Sequence, residues 1–306
     1  MSFRFDFGDD GPTGEAGDAR AEAGERRHAL PAHFVHAAAG AGPLPVQGET
    51  IACAPGAVLF KRSVSDVKFE LAATEAVDAA PSNELAQSIE QQSDLIRGVY
   101  EGGLKTWECS VDLVAYLAQA FGARRMDGLR VMELGCGSAL PGIYALTLGA
   151  SVDFQDYNEP VVHMVTIPNV LLNTANRPSP EILSPEGLFE TEVVVSDSLA
   201  ASRFIAGDWS GIPDLLAREN ALHQYDIVLT SESIYDAETL PDLFALIKAL
   251  AKPGGIALVA AKAIYFGCTG SLNDFVRLAG RDGSCRIETV HVNAQTVRRE
   301  IVQLSF

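Results

Sequence analysis

The residues that could do chemistry begin at 129–142, LRVMELGCGSALPG, where an acid, Glu133, precedes Gly135, Gly137 and Gly142. The apolar run before the glycines has strand length, and the run after them, 143–148, reads as helix. Strand, glycine turn and helix build a ligand crevice at the strand ends of an open α/β sheet. The glycines let the backbone turn sharply and come close to a ligand. A dinucleotide fingerprint needs its third glycine three residues after the second, and a phosphate loop needs lysine followed by Ser or Thr. Leu140 stands at the first of those positions, and no such lysine follows.

An acid before Gly-x-Gly fits the glycine loop of S-adenosylmethionine-dependent methyltransferases; a tight turn with no ligand is the alternative. Downstream acids favour the ligand. Strand 151–155 ends at Asp156-Tyr157-Asn158, where a carboxylate grips ribose hydroxyls through charge-assisted hydrogen bonds. Its bland alternative is a cap for the segment starting at Pro160. Strand 202–206 runs into Gly207-Asp208-Trp209, an acid and an aromatic that suit an adenine, or else a core Trp209 beside a capping Asp208. Strand 225–230 ends at Ser231 and Glu232, with Tyr235 three residues on.

The elements that must position these residues alternate. Apolar residues at helical spacing predict a helix over 110–121, with Ser110 as its cap. A second helix over 160–174 carries Pro168 in its middle and should kink or divide there. Helix 240–251 closes at Lys252-Pro253-Gly254-Gly255 and leads to strand 256–261, a helix over 271–279, and two final strands, 285–292 and 297–306. This order predicts an α/β fold: a mostly parallel sheet with an antiparallel edge strand and helices on both faces. Residues 1–30 are Gly-, Ala- and charge-rich and are expected to be disordered, apart from alternating Phe3, Phe5 and Phe7. Residues 31–93 form an N-terminal extension and linker, with strand-like pieces at 58–61 and 67–71. The catalytic fold is expected over 94–306.

The 306-residue chain carries a net charge of −17 and a pI near 4.7. Phosphate contacts need Lys and Arg, so direct nucleic-acid binding is not expected; the acidity suits a basic partner, or else only aids solubility. Five scattered cysteines include no Cys-x-x-Cys pair, so neither a metal site nor a disulfide framework is expected. Cys136 reads as a small packing residue. No apolar run is long enough for a membrane span, and 1–15 lacks a secretory pattern. The expectation is a monomer in the cytoplasm, the nucleus or both.

The blocks DLIRGVYEGGLKTWECSVDLVAYL, VMELGCGSALPGI, FQDYN, IPNVLLN, GDWS, YDIVLTSESIY and AKAIYFG occur in this order. They closely resemble the histidine protein methyltransferase family, over roughly 94–306; MSFRFDF at the start resembles its N-terminus. The resemblance implies a seven-stranded Rossmann-like methyltransferase sheet. It also implies methyl transfer from S-adenosylmethionine to a histidine imidazole of a basic large-subunit ribosomal protein, number three of that subunit. Cofactor contacts carried over with it are Trp107, Glu108, Cys109 and Ser110 before the first helix, and Gly135 and Gly137 in the loop. Asp156, Tyr157 and Asn158 would hold the ribose. Gly207, Asp208 and Trp209 would frame the adenine, with Ser231 near the methionine part. Many methyltransferases of this class have glycine at the position of Ala139; a positive φ there would cost alanine roughly 1 kcal/mol.

Glu232 is the expected acceptor for the ring N–H of the substrate histidine, and Tyr235 a wall or hydrogen-bond donor beside it. Lys262 is a candidate for the pocket rim, and His163 reads as structural. Two rivals stand beside this reading: a lysine methyltransferase on the same fold, and a non-catalytic module that binds the ribosomal protein.

Overall fold

The computed structural model describes residues 29–36, 42–66, 95, 97, 99–122, 124–195, 199, 202–295 and 297–306. In chain order the strands are β1 (His33–Val35), β2 (Leu44–Ala54), β3 (Ala57–Arg62), β4 (Arg130–Leu134), β5 (Ser151–Asp156), β6 (Leu188–Val193), β7 (Phe204–Ala206), β8 (Tyr225–Ser231), β9 (Ala251–Lys262), β10 (Arg286–Asn293) and β11 (Arg299–Ser305). The main helices are α1 (Glu108–Phe121), α2 (Leu140–Thr147), α3 (Ile167–Asn173), α4 (Ile212–Arg218), α5 (Leu240–Leu250) and α6 (Leu272–Asp282). The alternating phenylalanines at residues 3–7 and the strand-like piece at 67–71 lie outside the described residues.

An eight-stranded sheet has the order β1-β7-β5-β4-β8-β9-β11-β10. Its centre is parallel: β4 pairs with β5 and β8, β5 with β7, and β8 with β9. The antiparallel β11 lies between β9 and β10. Successive residues of the central strands feed opposite sides, as the strand period of two requires. Val131, Phe154 and Leu229 pack on one face with Leu113 of α1 and Ile143 of α2. Met132, Ile205 and Val228 pack on the other with Leu243 of α5 and Phe275 of α6. Central strands buried on both faces explain the near-continuous apolar runs in the sequence.

The N-terminal extension is partly built into this sheet. β1 pairs antiparallel with β7 and adds an eighth strand to the seven expected. β2 and β3 join β6 in a separate three-stranded sheet, β3-β2-β6. Its third strand, β6, comes from Leu188–Val193. This small sheet docks on α3 through two buried asparagines. Asn173 donates to the Phe60 carbonyl and accepts from its N–H, while Asn169 accepts from the Arg62 N–H. Each side-chain amide thus replaces a missing strand neighbour for β3.

Two local expectations are corrected. Ser110 does not cap α1: the helix begins at Glu108, Trp107 occupies the cap position, and the Ser110 hydroxyl donates back to the Trp107 carbonyl at 2.6 Å. β9 begins at Ala251, so Lys252 to Gly255 are built into its start and α5 closes at Leu250. The helix over 160–174 divides, as Pro168 requires, into a turn at Glu159–Val161, a π-helical segment at Val162–Thr166, and α3. Pro168 has no N–H for the Met164 carbonyl four residues earlier. Arg62 Nη1 donates to that carbonyl instead, at 3.0 Å.

Candidate active site

The crevice opens at the C-terminal ends of β4, β5, β7 and β8, where the strand order reverses about β4. It encloses about 710 Å³, including space open to solvent. The glycine loop after β4 forms its floor. Gly135 has φ 60° and Gly137 φ 49°, conformations that glycine adopts at little cost. A Cβ on Gly137 would meet the Gly103 carbonyl oxygen at 2.9 Å, so the glycine pair before Trp107 lies directly against the loop.

Below the loop, buried Glu133 accepts from the Gly142 N–H at 2.8 Å, and burial pushes its carboxyl up to about 8. A Cβ on Gly142 would sit 2.5 Å from that carboxylate, so only glycine lets α2 start this close to β4. Ala139 caps α2 with φ 60° and ψ 23°, the left-handed conformation that the departure from glycine put in question. Its methyl group is fully buried.

Asp156 lies at the tip of β5, as expected. Its carboxylate accepts from the Gly137 N–H at 2.9 Å and the Asn158 N–H at 3.1 Å. Burial pushes its pKa up to about 6, against those hydrogen bonds. Gln155, its fully buried neighbour, ties three pieces of the crevice together. Its Oε1 accepts from the Gly135 N–H and from Trp209 Nε1, and its Nε2 donates to the Gly207 carbonyl.

Trp107, Ser110, Gly135, Gly137, Asp156, Tyr157, Trp209, Ser231, Glu232 and Tyr235 all line the crevice. Other expected contacts sit behind it. Cys109 is buried in the core under α1, and Glu108 faces a neighbouring cavity. Asn158 braces the approach loop, accepting from the Glu101 N–H and donating to the Val99 carbonyl. Gly207 packs so tightly on Pro31 and Ala32 that a Cβ would meet their backbone at 2.6–2.8 Å. Asp208 caps the turn that follows, accepting from the Ser210 N–H and hydroxyl. The capping alternative therefore describes the Asp208 carboxylate. Trp209 lines the crevice and also packs against the core on the second face of the sheet. Burial raises the Cys136 thiol well above its ordinary pKa, in keeping with a packing residue.

The sequence reading missed Glu101, Gln155 and Ser233. Glu101 lines the crevice and accepts from the Tyr235 hydroxyl. Gly102-Gly103, conspicuous in the sequence, was the available signal for this loop. His163 sits on the π-helical segment, paired with Glu159 away from the crevice.

A second cavity, of about 930 Å³ including open space, adjoins the first. Glu101, Trp107, Glu232 and Tyr235 line both. Its outer wall carries Ile264 and the highly exposed Phe266. Glu232 stands where the two cavities meet, with φ 56°. Such a backbone costs a non-glycine residue on the order of 1–3 kcal/mol and is often found at functional sites. Its Oε1 lies 3.4 Å from the Cys109 N–H and 3.5 Å from Lys262 Nζ. Its Oε2 is buried without a hydrogen-bond partner. Lys262 also meets Glu108 at 3.2 Å and stands 5.4 Å from the centre of the Trp107 ring. Its pKa is raised, because the Glu232 and Glu108 carboxylates outweigh the effect of burial.

The family described as "Lysine methyltransferase" matches residues 88–186. Histidine protein methyltransferase 1 of Schizosaccharomyces pombe is 34% identical over 275 residues, covering 81% of this chain and 77% of that protein. This chain belongs to the histidine protein methyltransferase family. The homolog from Bos taurus is 37% identical over 227 residues, 73% of this chain and 60% of its own length. The chain thus spans about 60% of that mammalian relative. Among solved structures, the magnesium protoporphyrin IX methyltransferase of Synechocystis aligns over 64% of this chain and 81% of its own, at 14% identity and a TM-score of 0.43.

S-adenosylmethionine is the cofactor of this fold in the family, and the crevice fits it. The molecule offers ribose hydroxyls, an adenine plane and a cationic sulfonium. The crevice offers the Asp156 and Glu101 carboxylates, Tyr157 and Trp209, and a glycine floor at Gly135 and Gly137. No helix among the described residues is long and apolar enough to cross a membrane. Among those residues there is also no cluster of three or more His, Cys, Asp or Glu able to hold a metal.

Proposed function

We propose that this protein transfers a methyl group from S-adenosylmethionine to an imidazole nitrogen of a histidine in a basic protein. Large-subunit ribosomal protein three is the substrate that the family resemblance implies. The observation that carries the reading is the buried, unpartnered Oε2 of Glu232, at the junction of the cofactor crevice and the second cavity. When bound, the cofactor supplies an electrophilic methyl group on a sulfonium.

Asp156 would hold the ribose hydroxyls, Trp209 and Tyr157 would border the adenine, and Ser231 would lie toward the methionine part. Trp107 and Glu232 separate this crevice from the second cavity, which receives the histidine. A neutral imidazole, with an unperturbed pKa of about 6.5, is already a fair nucleophile. What the protein must set is the tautomer. Glu232 Oε2 accepts the N–H of one ring nitrogen and leaves the lone pair of the other free to attack. Tyr235 donates to Glu101 and walls the same space. Holding the ring in line is the main contribution to rate. The net charge of −17 suits a basic substrate and predicts salt-sensitive association. A cytoplasmic or nuclear setting follows from that substrate.

The match to the lysine methyltransferase description keeps one rival, transfer to a substrate lysine. That reaction needs a deprotonated amine, so its rate climbs further with pH. Labelled cofactor is incubated with recombinant ribosomal protein three and the modified residue is located by mass spectrometry. Methylhistidine is the expected product. Methyl-lysine replaces the acceptor, and cofactor binding without transfer points to another substrate or to a binding module.

A further inference from the structure

The second cavity contains its own ammonium group. Lys262, at the end of β9, lies 3.5 Å from Glu232 Oε1 and 3.2 Å from Glu108 Oε2. Its side chain is only 19% exposed, and it lines the cavity beside Trp107 and Tyr265. The loop that follows folds back on it, with the Lys262 N–H donating to the Tyr265 hydroxyl at 3.3 Å. Glu232 is therefore half engaged. One oxygen faces Lys262 and the Cys109 N–H, the Tyr265 hydroxyl and Cys109 thiol also meet the carboxylate, and Oε2 is buried without a hydrogen bond of its own.

We propose that Lys262 is the specificity-determining residue that excludes lysine side chains from the acceptor cavity and leaves it selective for a neutral ring. This inference rests on the reading of the second cavity as the acceptor site. A carboxylate at a strand tip would attract a substrate ammonium. Here the resident ammonium occupies one side of that carboxylate and offsets its charge. A neutral imidazole brings a single N–H, which matches the one carboxylate oxygen that lacks a hydrogen bond. A lysine brings three donors and a positive charge, and meets a like charge across the same carboxylate. Partner discrimination of this kind comes from a built-in repulsive element as well as from an attractive one. Trp107, Glu101 and Glu108 also face the cavity, so the surroundings are acidic overall. Lys262 acts locally, at Glu232, where the free oxygen is.

The test uses binding, so it does not depend on turnover. The full chain, saturated with S-adenosylhomocysteine, is titrated calorimetrically with the peptide Arg-Gly-Gly-His-Gly-Gly-Arg and with its twin carrying lysine at the centre. At pH 8 the wild type is expected to bind the histidine peptide at least tenfold more tightly. Lowering the pH to 5.5 should narrow the gap, because the ring becomes cationic while the lysine twin does not titrate. The Lys262→Met variant should close most of the gap by binding the lysine twin about tenfold more tightly. Lys262→Arg, which keeps the charge, should retain the wild-type ratio. Equal binding of the two peptides by the wild type, or a ratio unchanged in Lys262→Met, overturns the proposal. If Lys262→Met fails to fold, Lys262→Gln, also uncharged, makes the same comparison. Retained discrimination with no methylhistidine from the wild type would refute the proposed reaction and leave the binding role of Lys262 standing.

Discussion

Gln155 Oε1 accepts two hydrogen bonds, from Trp209 Nε1 at 2.9 Å and from the Gly135 N–H at 3.2 Å. One buried amide thereby sets the Trp209 ring against the glycine loop. Each donor left buried and unpaired costs about 1–3 kcal/mol. Gln155→Leu is expected to lower the unfolding free energy by roughly 2–4 kcal/mol and to weaken cofactor binding at least tenfold. Urea denaturation and calorimetric titration check the two effects separately. Wild-type cofactor affinity in a folded Gln155→Leu protein would mean that Trp209 is positioned by other contacts.

Ala139→Gly should change stability little. Relief of the left-handed backbone contributes about 1 kcal/mol, while loss of a fully buried methyl costs about 0.8 kcal/mol. The two nearly cancel, and the added freedom of the unfolded chain tips the balance slightly toward destabilisation. Ala139→Val, β-branched at the same φ, should destabilise clearly. A chemical denaturation midpoint for each variant decides.

Glu133 and Asp156 both have carboxyl groups raised by burial, to about 8 and about 6. Their unfolded values are about 4.3 and 3.9. Between the unfolded and folded values the native protein holds a proton that the unfolded chain has released. Their contribution to stability therefore falls as pH rises through that window, and the penalty is absent below the unfolded values. Glu133→Gln, which keeps an acceptor for the Gly142 N–H, removes one of the two penalties. The variant should gain stability relative to the wild type between pH 5 and pH 8, measured as the difference in urea midpoints. A difference that does not vary with pH would refute the ionisation account.

Replacing Glu232 by Gln should reduce methyl transfer to histidine by roughly 10²-fold, since the acceptor that sets the tautomer loses its charge. Tyr235→Phe removes a single hydrogen bond to Glu101 and should cost about tenfold. Single-turnover rates at saturating cofactor make the comparison. Unchanged turnover in Glu232→Gln would sink its role.

Raising ionic strength from 50 to 500 mM should weaken association with the basic substrate at least tenfold, with the single-turnover rate at saturation unchanged. Stopped-flow binding and quench-flow turnover separate these arms. Salt-independent association would remove the electrostatic argument for the substrate class.

Much of the crevice was legible in the chain order. Gly135 and Gly137, Asp156, and the pair Glu232 and Tyr235 are each local to one strand end, and a sheet of parallel strands brings those ends together whatever the loops do. The apolar runs of β4, β8 and β9 are likewise local signals, because strands buried on both faces leave no polar alternation to mislead. Pro168 announced the break in its helix by its missing N–H alone.

What the sequence did not determine is what depends on contacts between distant segments. The place of β1 beside β7, the docking of β3 on Asn169 and Asn173, and the Arg62 bond to Met164 join segments more than a hundred residues apart. The same is true of the site. Asp208 and Asn158 read as ligands by position, yet their side chains are committed to neighbouring backbone groups. Gln155 had no local signature, Glu101 only the glycine pair beside it, and the folded chain alone gave them partners. The unpartnered oxygen of Glu232 beside Lys262 was likewise decided by tertiary structure, because burial and hydrogen-bond satisfaction are properties of the packed interior and have no one-dimensional pattern.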